Sequence, residues 1–166
     1  VGLVWLEGAP KRGCGPHDVA ISMVKAAFDN GLVKNKVLEF AGPGVKNLPI
    51  DFRNGIDIMT TETTCLSSIW ITDEKVKHHY EIHRRPEDFR ELKPGATAYY
   101  DGMLRIGLSQ QECMIALPYH PSNAYTIHEL QADPERILRE VEEDTRKRYG
   151  DKVQVELLSK IHNGMV

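Results

Sequence analysis

Residues 1–40 hold an apolar run, a glycine-rich loop, a proline-headed amphipathic segment and a second apolar run. That order most constrains the fold. Val1-Gly2-Leu3-Val4-Trp5-Leu6 reads as a buried strand, ended by Gly8-Ala9-Pro10. After the polar loop Lys11 to Gly15, Pro16 opens a helix, where its missing N–H costs nothing. Asp18 falls in the first turn, where the helix dipole favours negative charge. Val19, Ala20, Met23, Val24, Ala27 and Phe28 make an apolar stripe at helical spacing, and Gly31 follows as the C-cap. Lys36 to Phe40 is the next strand. Strand, helix and strand in this order build a parallel sheet through a right-handed crossover. The expected fold class is therefore α/β, a layered α/β/α domain with a mainly parallel sheet.

Downstream, Gly42-Pro43-Gly44 turns the chain, and Phe52, Ile56 and Met59 share one helix face that Glu62 continues. Leu66 to Ile71 is rich in strand formers. Thr72-Asp73-Glu74 starts a helix that ends at His83, Arg84 and Arg85 before Pro86. A short helix is expected over Glu87 to Leu92. Thr97 to Leu108 alternates as a strand, with Gly102 as a bulge or bend. Pro118-Tyr119-His120-Pro121 is an extended loop. Asp133-Pro134 caps a helix to Tyr149, with Ile137, Leu138, Val141 and Tyr149 inward. No repeat or linker divides the chain, so residues 1–166 are expected to form a single domain. The start at Val1 inside a strand pattern and the end at HNGMV predict a piece of a larger protein.

Net charge of −3 argues against a nucleic-acid or anionic-membrane partner, because both need a basic face. No apolar run approaches the roughly 20 residues that cross a bilayer. The three cysteines, Cys14, Cys65 and Cys113, are odd in number, widely spaced and without a C-x-x-C pair. Neither a disulfide framework nor a self-contained metal or iron–sulfur site is expected, and nothing in their spacing brings them together. Reduced thiols point to the cytoplasm.

Glu62 is the sharpest candidate for chemistry. It lies within TTETT, between Thr60, Thr61, Thr63 and Thr64, whose hydroxyls are placed to bond a carboxylate. On the inward face it would be buried, and a buried carboxylate must be paired or change its pKa. The alternative is a structural acid capping a nearby turn. GCGPHD resembles a dinucleotide loop only superficially, for it lacks the third glycine, and Glu39 is the sole acid to contend for a ribose. His79 and His83 stand at i,i+4 beside His78, but HHYEIH lacks the order of a zinc-hydrolase helix, and a solvated face is expected. Asp51, Arg53 and Asp57 are placed on the solvent side of their helix, His120 in a loop held by its neighbours, and Cys65 as a small buried hydrophobe.

The segments GCGPHDVA, VLEFAGPGV and GIDIMTTETTCLSSIW, between Gly13 and Trp70, resemble the second α/β domain of the aconitase family, the [4Fe-4S] hydro-lyases. The likeness is close from Val1 to about Ile71 and looser to Val166. GIDIMTTETTCLSSIW and ALPYHPSN are most similar to a bacterial subgroup of aconitase-like hydratases. The resemblance implies an iron-sulfur-domain-like fold and a multidomain parent that dehydrates a di- or tricarboxylic hydroxy acid. Partners would be that small substrate and the other domains of the same protein. Glu62 matches the family glutamate that contacts the hydroxyl on the open iron. The family's asparagine four residues earlier is replaced by Ile58. The cluster cysteines, the carboxylate-clamping arginines and the catalytic serine would lie outside this chain, since Cys14, Cys65 and Cys113 match no family ligand. The isolated chain is then expected to hold no cofactor or metal and to be inactive. The alternative is an aconitase-like binding or regulatory module without catalysis.

Overall fold

The computed structural model describes residues 1–161. Strand β1 (Gly2–Glu7), helix α1 (Pro16–Asn30) and strand β2 (Val37–Ala41) form the expected crossover. Helix α2 (Ile50–Asp57), strand β3 (Ser67–Trp70), helix α3 (Glu74–Ile82) and strand β4 (Gly102–Gly107) follow. The four strands make one parallel sheet in the order β3-β2-β1-β4. Val4 lies between Phe40 and Leu104 in the register. This parallel sheet with flanking helices is the layered α/β arrangement that the sequence predicts.

Alternation decides which face is covered. Val4, Leu6, Leu38, Phe40, Leu104 and Ile106 point to one side, where Val19, Met23 and Ala27 of α1 and Ile56 of α2 complete a single buried cluster. Phe40 and Trp70 stack at 4.1 Å on that side. The other face carries Trp5, Glu39 and Arg105, with Met103 and Ile69 exposed. The turn after β2 is tight because two glycines lie against β1. Gly42 has φ of 106°, and a Cβ on Gly44 would stand 2.8 Å from the Leu6 carbonyl carbon.

The C-terminal part holds the antiparallel strands β5 (Met114–Ala116) and β6 (Ala124–Thr126), then helices α4 (Ile127–Ala132) and α5 (Pro134–Tyr149). Thr126 and Glu129 cap α4 reciprocally. The strand predicted from Thr97 starts only at Gly102, and the helix predicted over Glu87 to Leu92 is a 3-10 turn at Pro86–Asp88. Tyr149, expected inward, is exposed and lies 5.5 Å from the ring of Tyr119, while Ile137 and Val141 are buried as their spacing requires.

Helix α2 also stops earlier than its apolar face suggests. It ends at Asp57, and a 3-10 turn at Thr60–Thr63 follows, closed by Thr64 in the left-handed region with φ of 63°. A 3-10 turn advances each residue by about 120° rather than 100°, so the face of Phe52 and Ile56 does not continue to Glu62. Ile56 is buried, whereas Glu62 is exposed.

Candidate active site

Helix α2 carries the chain from the GPG turn at the carboxyl end of β1 toward the ends where β2 and β3 begin. The Asn35 N–H donates to Thr64 O at 3.1 Å, and the Leu66 N–H donates to Lys36 O at 2.9 Å. Glu62 is thus displayed at the amino edge of the sheet. The flanking hydroxyls do not bond its carboxylate, as the sequence suggested they would. Thr60 Oγ1 donates to Asp57 O at 2.9 Å and Thr63 Oγ1 to Thr60 O at 2.6 Å. They stiffen the turn and leave the Glu62 carboxylate without a hydrogen bond or ion pair among the described residues. Neither the inward face nor the turn-capping alternative describes it. Two large apolar side chains, each four residues away in sequence, are in the open, Ile58 at 70% exposure and Leu66 at 69%.

Two residues placed on the solvent side of α2 prove to be structural. Arg53 is only 3% exposed. It donates to Val45 O and Leu48 O at the preceding 3-10 turn, where Val45 O also accepts the Leu48 N–H and Leu48 O the Lys75 ammonium, and it pairs with Asp73. Burial works against the Asp73 carboxylate, but Arg53 and the backbone N–H groups of Val76 and Lys75 outweigh it and hold its pKa below the usual range. Asp57 accepts from Ser68 Oγ and Trp70 Nε1 at 2.7 and 2.8 Å, which ties α2 to β3. Asp51 is exposed, as expected. No local pattern in the sequence marks these pairings, because both join α2 to segments well downstream.

The cysteines give the clearest correction. Cys14, in the loop between β1 and α1, and Cys113, after β4, come together at the carboxyl edge with Asp18. The three ligand atoms lie within 4.8 Å of one another. The parallel pairing of β1 with β4 places the two following loops side by side, a long-range consequence that spacing does not encode. Cys14 Sγ donates to Gln111 O, and burial, with Cys113 and Asp18 alongside, pushes its pKa up. Cys65 stands apart at the amino edge, half-buried, with Sγ 3.3 Å from Thr60 O.

The remaining candidates are satisfied locally. Glu39 accepts from Tyr100 OH at 3.1 Å. His83 and His79 rings lie 4.2 Å apart, with His83 Nδ1 2.8 Å from His79 O, and His78 faces Glu81. Among the described residues these histidines join no three-ligand set. His120 is held by Ser122 and packs on Phe28.

The fold thus defines a parallel α/β domain that displays the unpartnered Glu62 on a 3-10 turn, with exposed Ile58 and Leu66 four residues to either side in sequence. The chain matches the aconitase family (aconitate hydratase) over residues 1–166 and belongs to that family. It is similar to the aconitase htyD of Aspergillus rugulosus, 32% identical over 130 residues that cover 76% of this chain and 15% of that protein. It is also similar to the 3-isopropylmalate dehydratase large subunit 1 of Thermotoga maritima, 26% identical over 134 residues, covering 81% and 32% of the two chains. With the mitochondrial homoaconitase of Candida parapsilosis it shares 40% identity over 81 residues, covering 49% and 12%. The chain therefore spans less than a third of each of these relatives. Among the described residues no helix is long and apolar enough to cross a membrane.

Hydratases of this family generally use a [4Fe-4S] cluster, which needs three convergent thiolates. Two thiols meet here and the third is at the opposite edge of the sheet, so the described residues do not fit as the holder of such a cluster.

Proposed function

We propose that this chain forms one wall of the active site in a larger, cytoplasmic hydro-lyase of the aconitase type, acting on a di- or tricarboxylic hydroxy acid. The observation that carries the reading is Glu62, a carboxylate with no partner on a stiff 3-10 turn, and the resemblance of its segment to the one that bears the family glutamate supports it. In a dehydration the C–O bond breaks and the leaving hydroxyl needs a proton. An acid already oriented, and not committed to a salt bridge, suits that task. The carbon-bound proton, the carboxylate clamps and the cluster ligands fall to other domains. Ile58 and Leu66 fit a role as the apolar rim on which a neighbouring domain closes, since exposed apolar patches mark such contacts.

A test is direct. The full-length protein, reconstituted anaerobically with iron and sulfide, is assayed against a panel of hydroxy acids by following the alkene chromophore. Turnover of at least one member is expected. A second reading rests on Ile58, which puts an exposed apolar side chain where the family carries an asparagine. In that reading the protein is a binding module without catalysis. A fully loaded protein inert toward the whole panel selects it and overturns the first.

A further inference from the structure

Outside the proposed active site, Cys14, Asp18 and Cys113 form the one group of three metal-ligating side chains that converge among the described residues. Two features separate it from a chance approach of thiols. First, one carboxylate pins both cysteine loops. Asp18 Oδ2 accepts the N–H of Gly15, the residue after Cys14, at 2.6 Å. Asp18 Oδ1 accepts the N–H of Met114, the residue after Cys113, at 2.7 Å. Second, each thiol is aimed across to the other loop, Cys14 Sγ toward Gln111 O and Cys113 Sγ toward Gly13 O. The loops are interlocked around three donors of which one, Cys113, is exposed to solvent.

From this geometry we propose that Cys14, Cys113 and Asp18 bind Zn²⁺ at the carboxyl edge of the sheet. With a zinc–sulfur distance of about 2.3 Å, tetrahedral geometry separates two thiolate ligands by about 3.8 Å. The donors already lie within 4.8 Å of one another, so closure needs about 1 Å of side-chain movement. Two sulfur donors select a soft ion over Mg²⁺ or Ca²⁺. A carboxylate offers about four lone-pair directions, and the two N–H bonds leave room for the metal. Binding is balanced as two thiols plus Zn²⁺ giving a zinc dithiolate and two protons released to solvent. Two thiolates and a carboxylate leave the loaded site one charge negative, and Lys11 is near enough to act on Cys14 and offset it. The open side at Cys113 takes a water as fourth ligand. The site would staple the β1–α1 loop to the loop after β4, and it is independent of the activity proposed for Glu62.

The experiment uses full-length protein purified anaerobically, freed of zinc and titrated with Zn²⁺ against a chromophoric chelator. Wild type and Cys65→Ser should bind with equal affinity, and Cys14→Ser and Cys113→Ser should each bind about 100-fold more weakly. Asp18→Asn should weaken binding about 10-fold. A readout on unmutated protein covers the case in which a variant fails to fold. Zn²⁺ should slow alkylation of Cys14 and Cys113 at least tenfold while leaving Cys65 unchanged, and Co²⁺ should give a thiolate charge-transfer band. Equal affinity in wild type and both cysteine variants, or alkylation rates indifferent to Zn²⁺, overturns the proposal. So does recovery of Cys14 and Cys113 as a disulfide that takes up no zinc after reduction.

Discussion

Two sites at opposite edges of the parallel sheet are built on opposite plans. Around the loops at the carboxyl edge, Asp18 holds two backbone N–H groups, Arg105 pairs with Glu7, and Arg53 joins two carbonyls and Asp73. At the amino edge the turn that bears Glu62 is braced by its own threonines, and the carboxylate is left over. Parallel α/β sheets usually place their sites at the carboxyl ends of the strands. Here the candidate acid is at the other end, and the usual end serves to tie loops together. A side chain already satisfied within the domain contributes to folding. One left exposed on a rigid support is available to something outside it.

The sharpest way to break this division is Glu62→Gln in the full-length protein. Loss of a general acid typically lowers turnover about 10²–10⁴-fold. Because the carboxylate holds nothing in place, the melting temperature should stay within about 1 °C, as for exposed sites away from any bonded feature. Unchanged turnover removes Glu62 from the chemistry. A large fall in melting temperature makes it structural and erases the contrast between the edges.

Arg53→Met should behave in the opposite manner. The substitution keeps length and removes a guanidinium that is 3% exposed, together with its bonds to Val45 O, Leu48 O and the Asp73 carboxylate. Removing one partner of a buried pair costs roughly 3 kcal/mol, and for a domain of this size that is a fall of about 10 °C in melting temperature. Urea denaturation of wild type and variant checks it. A loss under about 1 kcal/mol would mean that water replaces the guanidinium freely, as at an exposed ion pair.

These two residues also mark how far the sequence could be read. The β1–α1–β2 crossover was legible because each step has a local signature: Pro16 at the helix start, a stripe from Val19 to Ala27, and Gly31 in the left-handed conformation at the end. Glu62 was legible as a residue but not in its surroundings. Its burial was inferred by extending a 3.6-residue period past Asp57, where the helix had already given way to a 3-10 turn. Arg53 with Asp73, and Cys14 with Cys113, were not legible at all. Each pairing depends on which strands become neighbours, and β1 pairs with β4 across five intervening helices and strands, α1, β2, α2, β3 and α3. The β5–β6 hairpin escaped for a simpler reason, since three-residue strands give alternation too little room.

Acid sharpens the carboxyl-edge half of the comparison. The Asp73 pKa is lower folded than unfolded, so its stabilising contribution is fully present above the unfolded value, about 3.9, and is lost as pH falls through the folded one. Between pH 5 and 3, stability measured by urea should fall more in wild type than in Asp73→Asn, which keeps an N-cap acceptor for α3 but has no proton to gain. Parallel curves would show that Arg53 does not favour the ionised form.

The smallest expected effect tests the brace under Glu62. Thr63 is buried, and its hydroxyl reaches Thr60 O at 2.6 Å, an acceptor that also faces Cys65 Sγ at 3.3 Å. Thr63→Val preserves shape and deletes the hydroxyl, so the lost hydrogen bond should cost about 1 kcal/mol. The residual Cys65 contact keeps the carbonyl from being wholly stranded, which holds the cost at the low end. Turnover should fall less than in Glu62→Gln, because the acid is present and only the stiffness of its support has changed. The two readouts separate the roles. A stability loss with modest loss of turnover fits a brace that positions the acid. A loss of turnover as large as that of Glu62→Gln would make orientation, rather than the carboxylate's freedom from partners, the property that matters at the amino edge.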